Sequence, residues 1–161
     1  MEEIINFKNK IKNSNILLYI IIFLVIGFIV KIIPILIYSV FFDLPEIDNP
    51  AAKGYFYFFI AITFIPLFET FIFQHGIISL LSKNKFFKGK NILLILISAF
   101  IFGLYHWYNI PRIISMFFVG IILAYVYIDL KKDEKYPILY VSLLHALHNT
   151  IVFVLGKILI K

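Results

Sequence analysis

Cysteine is absent from this 161-residue chain, which removes thiolate nucleophiles, Cys-based zinc sites and any disulfide framework. Glycine and proline are scarce, at 7 and 6 residues, so collagen-like repeats and Pro/Gly-rich disorder are excluded as well. Charged residues make up only 15% of the chain, against about a quarter in an ordinary soluble domain. What fills the space is apolar: 62% of residues are hydrophobic, 19% are aromatic and the mean hydropathy is +0.98. Such a composition belongs to a multi-span membrane protein, and the length suits one small bundle.

Apolar runs between charged loops cover roughly 16–42, 54–81, 91–110, 112–130 and 137–160, each near or above the ~20 residues that cross a bilayer. The expected fold is therefore all-α, a transmembrane bundle of about five helices. The first run follows Lys8, Lys10 and Lys12, is too long for a signal-peptide core and lacks a small-residue cleavage site, so it reads as an uncleaved helix. Pro34 within it predicts a kink, or an early end followed by an interfacial piece from Ile35 to Phe42. Residues 43–53 read as a loop carrying Asp43, Pro45, Glu46, Asp48 and Pro50.

The net charge of +6 is topological in this reading. With the N-terminus in the cytoplasm, 10 of the 15 basic residues fall in inner segments: three before the first run, four in 82–90, and Lys131, Lys132 and Lys135. Lys53, Arg112, Lys157 and Lys161 fall outside and Lys31 lies within a span, a distribution that follows the positive-inside rule. A nucleic-acid partner is not expected; lipid is. Tyr55, Phe56, Tyr57, Trp107 and Tyr108 stand where an outer aromatic belt belongs. The abundance of Lys, Ile, Asn and Phe is compatible with an AT-rich bacterial genome, and a bacterial cell membrane is the expected location.

Ionisable groups inside hydrocarbon cost about 2.5–3.5 kcal/mol each even on lenient scales and call for a partner or a function. The spans contain Lys31, Glu69, His75, His106, His145 and His148, together with the polar Asn149. Counting ~1.5 Å per residue from the inner end of each span puts Glu69, His106, His145 and Asn149 in one slab about 10 Å thick. His145, His148 and Asn149 share a helix face, and Phe102 precedes His106 by one turn. Gly103 permits close helix approach. His75, six residues beyond Glu69, is expected to face elsewhere and serve structure. Lys31 either pairs with Glu69 or reaches the outer interface, and the interface is the expected direction. Ser79, Ser98, Ser115 and Ser142 read as helix-packing residues. No HExxH, GxSG or GxGD motif is present.

Three segments, Glu69 to Gln74 (ETFIFQ), Phe102 to His106 (FGLYH) and His145 to Asn149 (HALHN), resemble in order the three motifs of the CPBP intramembrane endopeptidases, also called the Abi or CAAX prenyl protease type II family. The resemblance covers about residues 54–155 and implies a domain layout of 1–53 (N-terminal segment, first helix and loop) and 54–161 (a four-helix core). It implies that Glu69 activates water, that His106 and His145 position or polarise that water or hold a metal, and that Asn149 stabilises the oxyanion. Phe102 would be a supporting residue, and His148, which the family motif does not require, is a supporting candidate because it shares the His145 face. A zinc ion on His106, His145 and Glu69 and metal-free catalysis by the same groups both remain open. Thr70 stands where the family has a second Glu and Gln74 where it has Arg, so an acid and a base are replaced together. Paired loss of a buried ion pair costs little in stability, although groups that orient catalytic residues commonly carry 10–100-fold in activity. The resemblance implies a peptide or membrane-anchored substrate, such as a CAAX-like tail or a bacteriocin precursor. The alternative is a non-catalytic bacteriocin immunity protein on the same scaffold.

Overall fold

The computed structural model describes residues 2–43 and 54–159. The described chain is all helix and bend, with α1 (Glu2–Ser14), α2 (Ile16–Phe41), α3 (Gly54–Ile62), α4 (Phe64–Glu69), a π-helical stretch (Thr70–Ile77), α5 (Ile78–Ser82), a 3₁₀ turn (Lys85–Phe87), α6 (Asn91–Tyr105), α7 (Ile110–Lys132) and α8 (Pro137–Leu159). Four stretches are long and apolar enough to cross a membrane: Ile16–Phe41, Gly54–Ser82, Ile110–Lys132 and Pro137–Leu155. The expected loop at 43–53 falls almost wholly outside the described residues, as do Lys53 and Lys161.

Apolar side chains cover the outside of the bundle as well as its core. On α2, Tyr19, Ile20, Leu24, Gly27 and Pro34 are buried, while Val25, Ile29, Ile32, Ile33 and Leu36 face outward. That arrangement needs a lipid surround, because in water the outer face would be an uninterrupted apolar patch. The helix continues past Pro34 to Phe41, so the expected early end with an interfacial piece does not occur.

Helix α7 is the centre of the molecule, with more than half of its most apolar stretch buried against about a fifth in α2. It packs on α2, α6 and α8. Its contact with α6 is closest because glycines face backbone there. A Cβ on Gly103 would lie 2.9 Å from the Ile113 carbonyl oxygen and 3.0 Å from Phe117, and one on Gly120 would lie 2.9 Å from the Ala99 Cα and 3.0 Å from the Phe102 ring. Small residues let helices approach in this way where no hydrophobic force distinguishes helix from lipid.

At 15 residues, α6 rises about 22 Å and falls short of a ~30 Å hydrocarbon core. It ends five residues before the apolar run does. The N-terminal segment is also more ordered than its composition suggests: α1 docks on the end of α7. Lys8 Nζ donates to Asp129 Oδ1 at 2.6 Å, Lys12 Nζ to Oδ2 at 3.0 Å, and the Tyr19 hydroxyl to Oδ2 at 2.7 Å. Lys12 also reaches Asp133 at 2.6 Å and is only 3% exposed. Burial works against charge on Lys8, but its bonds to Asp129 and Tyr125 prevail and raise its pKa above 10.5. Two lysines that read as topological signals are thus part of a buried clamp.

The glycine contacts lead to a direct test. Gly120→Val forces Cβ and two methyls into Ala99 and Phe102 and should cost about 1–3 kcal/mol, lowering the thermal midpoint in detergent. Gly27→Ala, where nothing lies within 4 Å, should leave it unchanged. Equal midpoints for the two variants would show that the α6–α7 contact is not tight.

Candidate active site

The second span is broken twice, and both breaks serve the site. Pro66 has no N–H to offer the carbonyl four residues back, so the helix is interrupted at Thr63, between α3 and α4. A broken turn at membrane depth leaves carbonyls that need donors. Asn149 Nδ2, arriving from α8, donates to the Ala61 oxygen at 2.9 Å.

The second break follows Glu69 directly. From Thr70 to Ile77 the backbone hydrogen-bonds in the i to i+5 pattern of a π-helix, a wide turn that often marks functional sites. Ser98 Oγ on α6 donates to the Phe73 carbonyl at 2.8 Å, tying the wide turn to its neighbour. Glu69, Thr70, Phe73 and Gln74 are all buried by it, Thr70 and Gln74 completely. Neither the Thr70 hydroxyl nor either polar atom of the Gln74 amide has a hydrogen-bond partner.

Glu69 meets the third motif. Its Oε2 lies 3.5 Å from His145 Nε2, with the two residues 5% and 4% exposed. A carboxylate accepts, so the proton on His145 belongs on Nε2 facing it, and Nδ1 is left buried without a partner. The separation is long for a hydrogen bond.

His106 sits just beyond the end of α6, where the last carbonyls lack helical partners. Its own ring answers one of them: Nδ1 donates to the Phe102 oxygen at 2.9 Å. A carbonyl can only accept, so in the neutral ring Nε2 carries the free lone pair. The Phe102 ring, fully buried, lies edge-on to His106 at 4.7 Å and to His145 at 5.8 Å, and it packs on Phe73 at 5.5 Å. One side chain therefore spaces both histidines and backs the π turn. His148 stacks on Phe28 of α2 at 4.5 Å, which brings the first span against the third-motif helix. An apolar crevice between α2, α7 and α8, with room for about one water, ends at His145 and His148.

The sequence-predicted residues divide accordingly. Glu69 and His145 come together, with His106 linked to His145 through Phe102. Asn149 lies on the same helix face but spends one amide proton on Ala61. His75 turns away, with Nδ1 2.8 Å from the Tyr127 hydroxyl. No ion pair joins Lys31 to Glu69. The metal set Glu69, His106 and His145 does not close: among the described residues no three His, Asp or Glu side chains converge to hold a cation, and the His106 nitrogen nearest its own helix is taken by Phe102. A catalytic zinc requires three protein ligands, so the residues as arranged do not fit one.

Arg112 escaped sequence reasoning, which placed it among outer-loop cations. It lies in the first turn of α7, where Asn109 Oδ1 accepts from its backbone N–H at 2.9 Å, and its guanidinium lies 5.1 Å from the Tyr108 ring centroid. The available signal was the shortness of the turn from His106 to Pro111, which holds Arg112 at the level of the histidine.

Among known proteins, the family model described as Rce1-like, type II CAAX prenyl endopeptidase, matches residues 51–151. That is more than half of the chain, and the chain belongs to this family. No curated protein and no solved structure matches it. Membership together with the four apolar helices makes the chain an integral membrane protein of a CAAX-type intramembrane protease kind.

The central position of Phe102 is open to test. Phe102→Leu keeps an apolar side chain and should preserve the fold, while freeing both rings it spaces. Imidazole nitrogen signals of His106 and His145 should then shift or broaden together, and two unchanged signals would contradict the arrangement.

Proposed function

We propose that this chain is an endopeptidase that hydrolyses peptide bonds of membrane-associated substrates with a water molecule activated by Glu69. The observation that carries the reading is the buried Glu69–His145 pair, placed by a π turn and backed by Phe102 within a family of CAAX-type proteases.

The chemistry follows from the groups present. Glu69 takes a proton from water, and the His106 Nε2 lone pair accepts the other water hydrogen and aims the oxygen. The oxygen attacks the scissile carbonyl carbon, and the developing oxyanion receives the Asn149 N–H not used by Ala61. Collapse of the tetrahedral intermediate breaks the C–N bond, and the proton held by Glu69 passes to the leaving amine. His145 holds the Glu69 carboxylate throughout through Nε2–H. A positioned base contributes about 10²–10⁴-fold, and a single oxyanion donor about 10²–10³-fold.

Thr70 and Gln74 fit this reading as a neutral replacement for a supporting acid–base pair, which leaves the charge balance beside Glu69 unchanged. Their unpartnered polar atoms also favour a second reading: a scaffold that has lost the support catalysis needs and acts as a bacteriocin immunity protein by binding alone. We place the protein in a bacterial cell membrane with its N-terminus in the cytoplasm, a reading supported by the distribution of lysines. The substrate in the catalytic reading is a CAAX-like tail or a bacteriocin precursor.

Purified protein in liposomes with a lipidated peptide separates the two. Glu69→Gln should reduce cleavage by at least ~10³-fold with an unchanged thermal midpoint, and Asn149→Ala should lower kcat by ~10²-fold and also lower the midpoint, because the Ala61 carbonyl loses its donor. Cleavage by Glu69→Gln at the wild-type rate would sink the mechanism, and immunity retained by that variant in cells would favour the binding role.

A further inference from the structure

Helix α1 turns cations inward and apolar residues outward. Lys8 Nζ meets the Tyr125 hydroxyl at 3.2 Å and Asp129 at 2.6 Å, and Lys12 Nζ meets Asp129 at 3.0 Å and Asp133 at 2.6 Å. Ile4 and Phe7, by contrast, are 73% and 65% exposed. A helix whose outer side meets water is arranged the other way round, with charge outward and apolar groups against the protein.

Rotation about the helix axis sorts the residues further. At about 100° per residue, Ile4, Phe7 and Ile11 form one stripe beside the face that carries Lys8 and Lys12, and Ile5 flanks the lysines. The exposed Glu2, Glu3, Asn6, Lys10 and Asn13 occupy the remaining side. Ile11 packs against the hydrophobic core, so the stripe begins on the protein and runs off its edge.

The register of the ion pairs sets the depth of that stripe. One turn along α1, from Lys8 to Lys12, matches one turn along α7, from the Tyr125 and Asp129 pair to the Asp129 and Asp133 pair. The two helices therefore point the same way, and the start of α1 lies beside the apolar span Ile110–Lys132 instead of beyond its end. Phe23 of α2 stands at the same level, with its ring centroid 5.5 Å from that of Tyr125. Near that level α2 also carries the exposed Leu17, Leu18 and Ile21 on its outer surface, so lipid-facing apolar surface is already present where α1 begins.

We propose that α1 is an interfacial anchor, lying in the membrane–water interface with Ile4 and Phe7 inserted among the lipid acyl chains and with Glu2, Glu3 and Lys10 turned to headgroups and water. Amphipathic helices of this kind sink an apolar face about 5–10 Å into the boundary between headgroups and acyl chains. A stripe this narrow holds a bilayer weakly, since binding scales with buried apolar area. The bonds from Lys8 and Lys12 to α7 supply the remaining hold and fix which side of α1 meets lipid.

The test uses full-length protein in phosphatidylcholine liposomes, with Trp107, the one tryptophan of the chain, replaced by Phe. A single tryptophan is then introduced by Phe7→Trp, Ile4→Trp or Lys10→Trp, and its fluorescence is compared in plain lipid and in lipid brominated on the acyl chains near the headgroup. Phe7→Trp and Ile4→Trp should emit at shorter wavelength and be quenched by bromine at least ~2-fold more than Lys10→Trp. If one of the two stripe variants fails to insert, the other reads the same face. Equal quenching at all three positions, or water-like emission without quenching at Phe7→Trp and Ile4→Trp, would overturn the assignment. Short-wavelength emission that is not quenched, and that moves to longer wavelength as the protein is diluted with lipid, would overturn it in favour of a second copy of the chain on this face.

Discussion

The close contact between α6 and α7 is the constraint from which the rest of the site follows. Gly103 and Gly120 bring two backbones together where a single added methyl has no room. The Phe102 ring is trapped against Gly120, and both His106 and His145 take their positions from that ring. Interiors packed at this density transmit small displacements. A change on α7, remote from any reactive atom, therefore reaches the histidines through one aromatic side chain.

A second theme is the use of helix ends inside the membrane. A bilayer gives a broken backbone no water, so every interruption must be answered by protein. The break near Thr63 is answered by Asn149, the end of α6 by the His106 ring, and the π turn by Ser98. In each case the group that satisfies the backbone comes from, or lies beside, a motif residue. Satisfaction of the backbone and preorganisation of the site are here the same set of hydrogen bonds, and the tautomer of His106 follows directly from a carbonyl left over by a short helix.

Much of this was legible in the sequence, and the rest was not, for definite reasons. Apolar runs mark four long spans and a shorter fifth helix because hydrocarbon tolerates little else. Depth counting brings Glu69 and His145 to one level because rise per residue is constant within a helix. Rotation is less predictable: a π turn alters the register after Glu69, and periodicity carries no sign of it. Pro34 reads as a kink or an early helix end, and the end is ruled out because α2 continues past it. The N-terminal lysines read as topology because Asp129 lies more than a hundred residues away, and only the folded chain shows Lys12 buried against it. Arg112 reads as loop charge although it stands in the first turn of α7, capped by Asn109.

The central claim is that Glu69 activates water to cut peptide bonds in the membrane. The most direct measurement is quantitative terminal-peptide proteomics of host membranes containing wild-type protein or Glu69→Gln at matched levels. The account predicts new peptide ends with the wild type that are absent with the variant. Identical profiles from two correctly inserted proteins would contradict it.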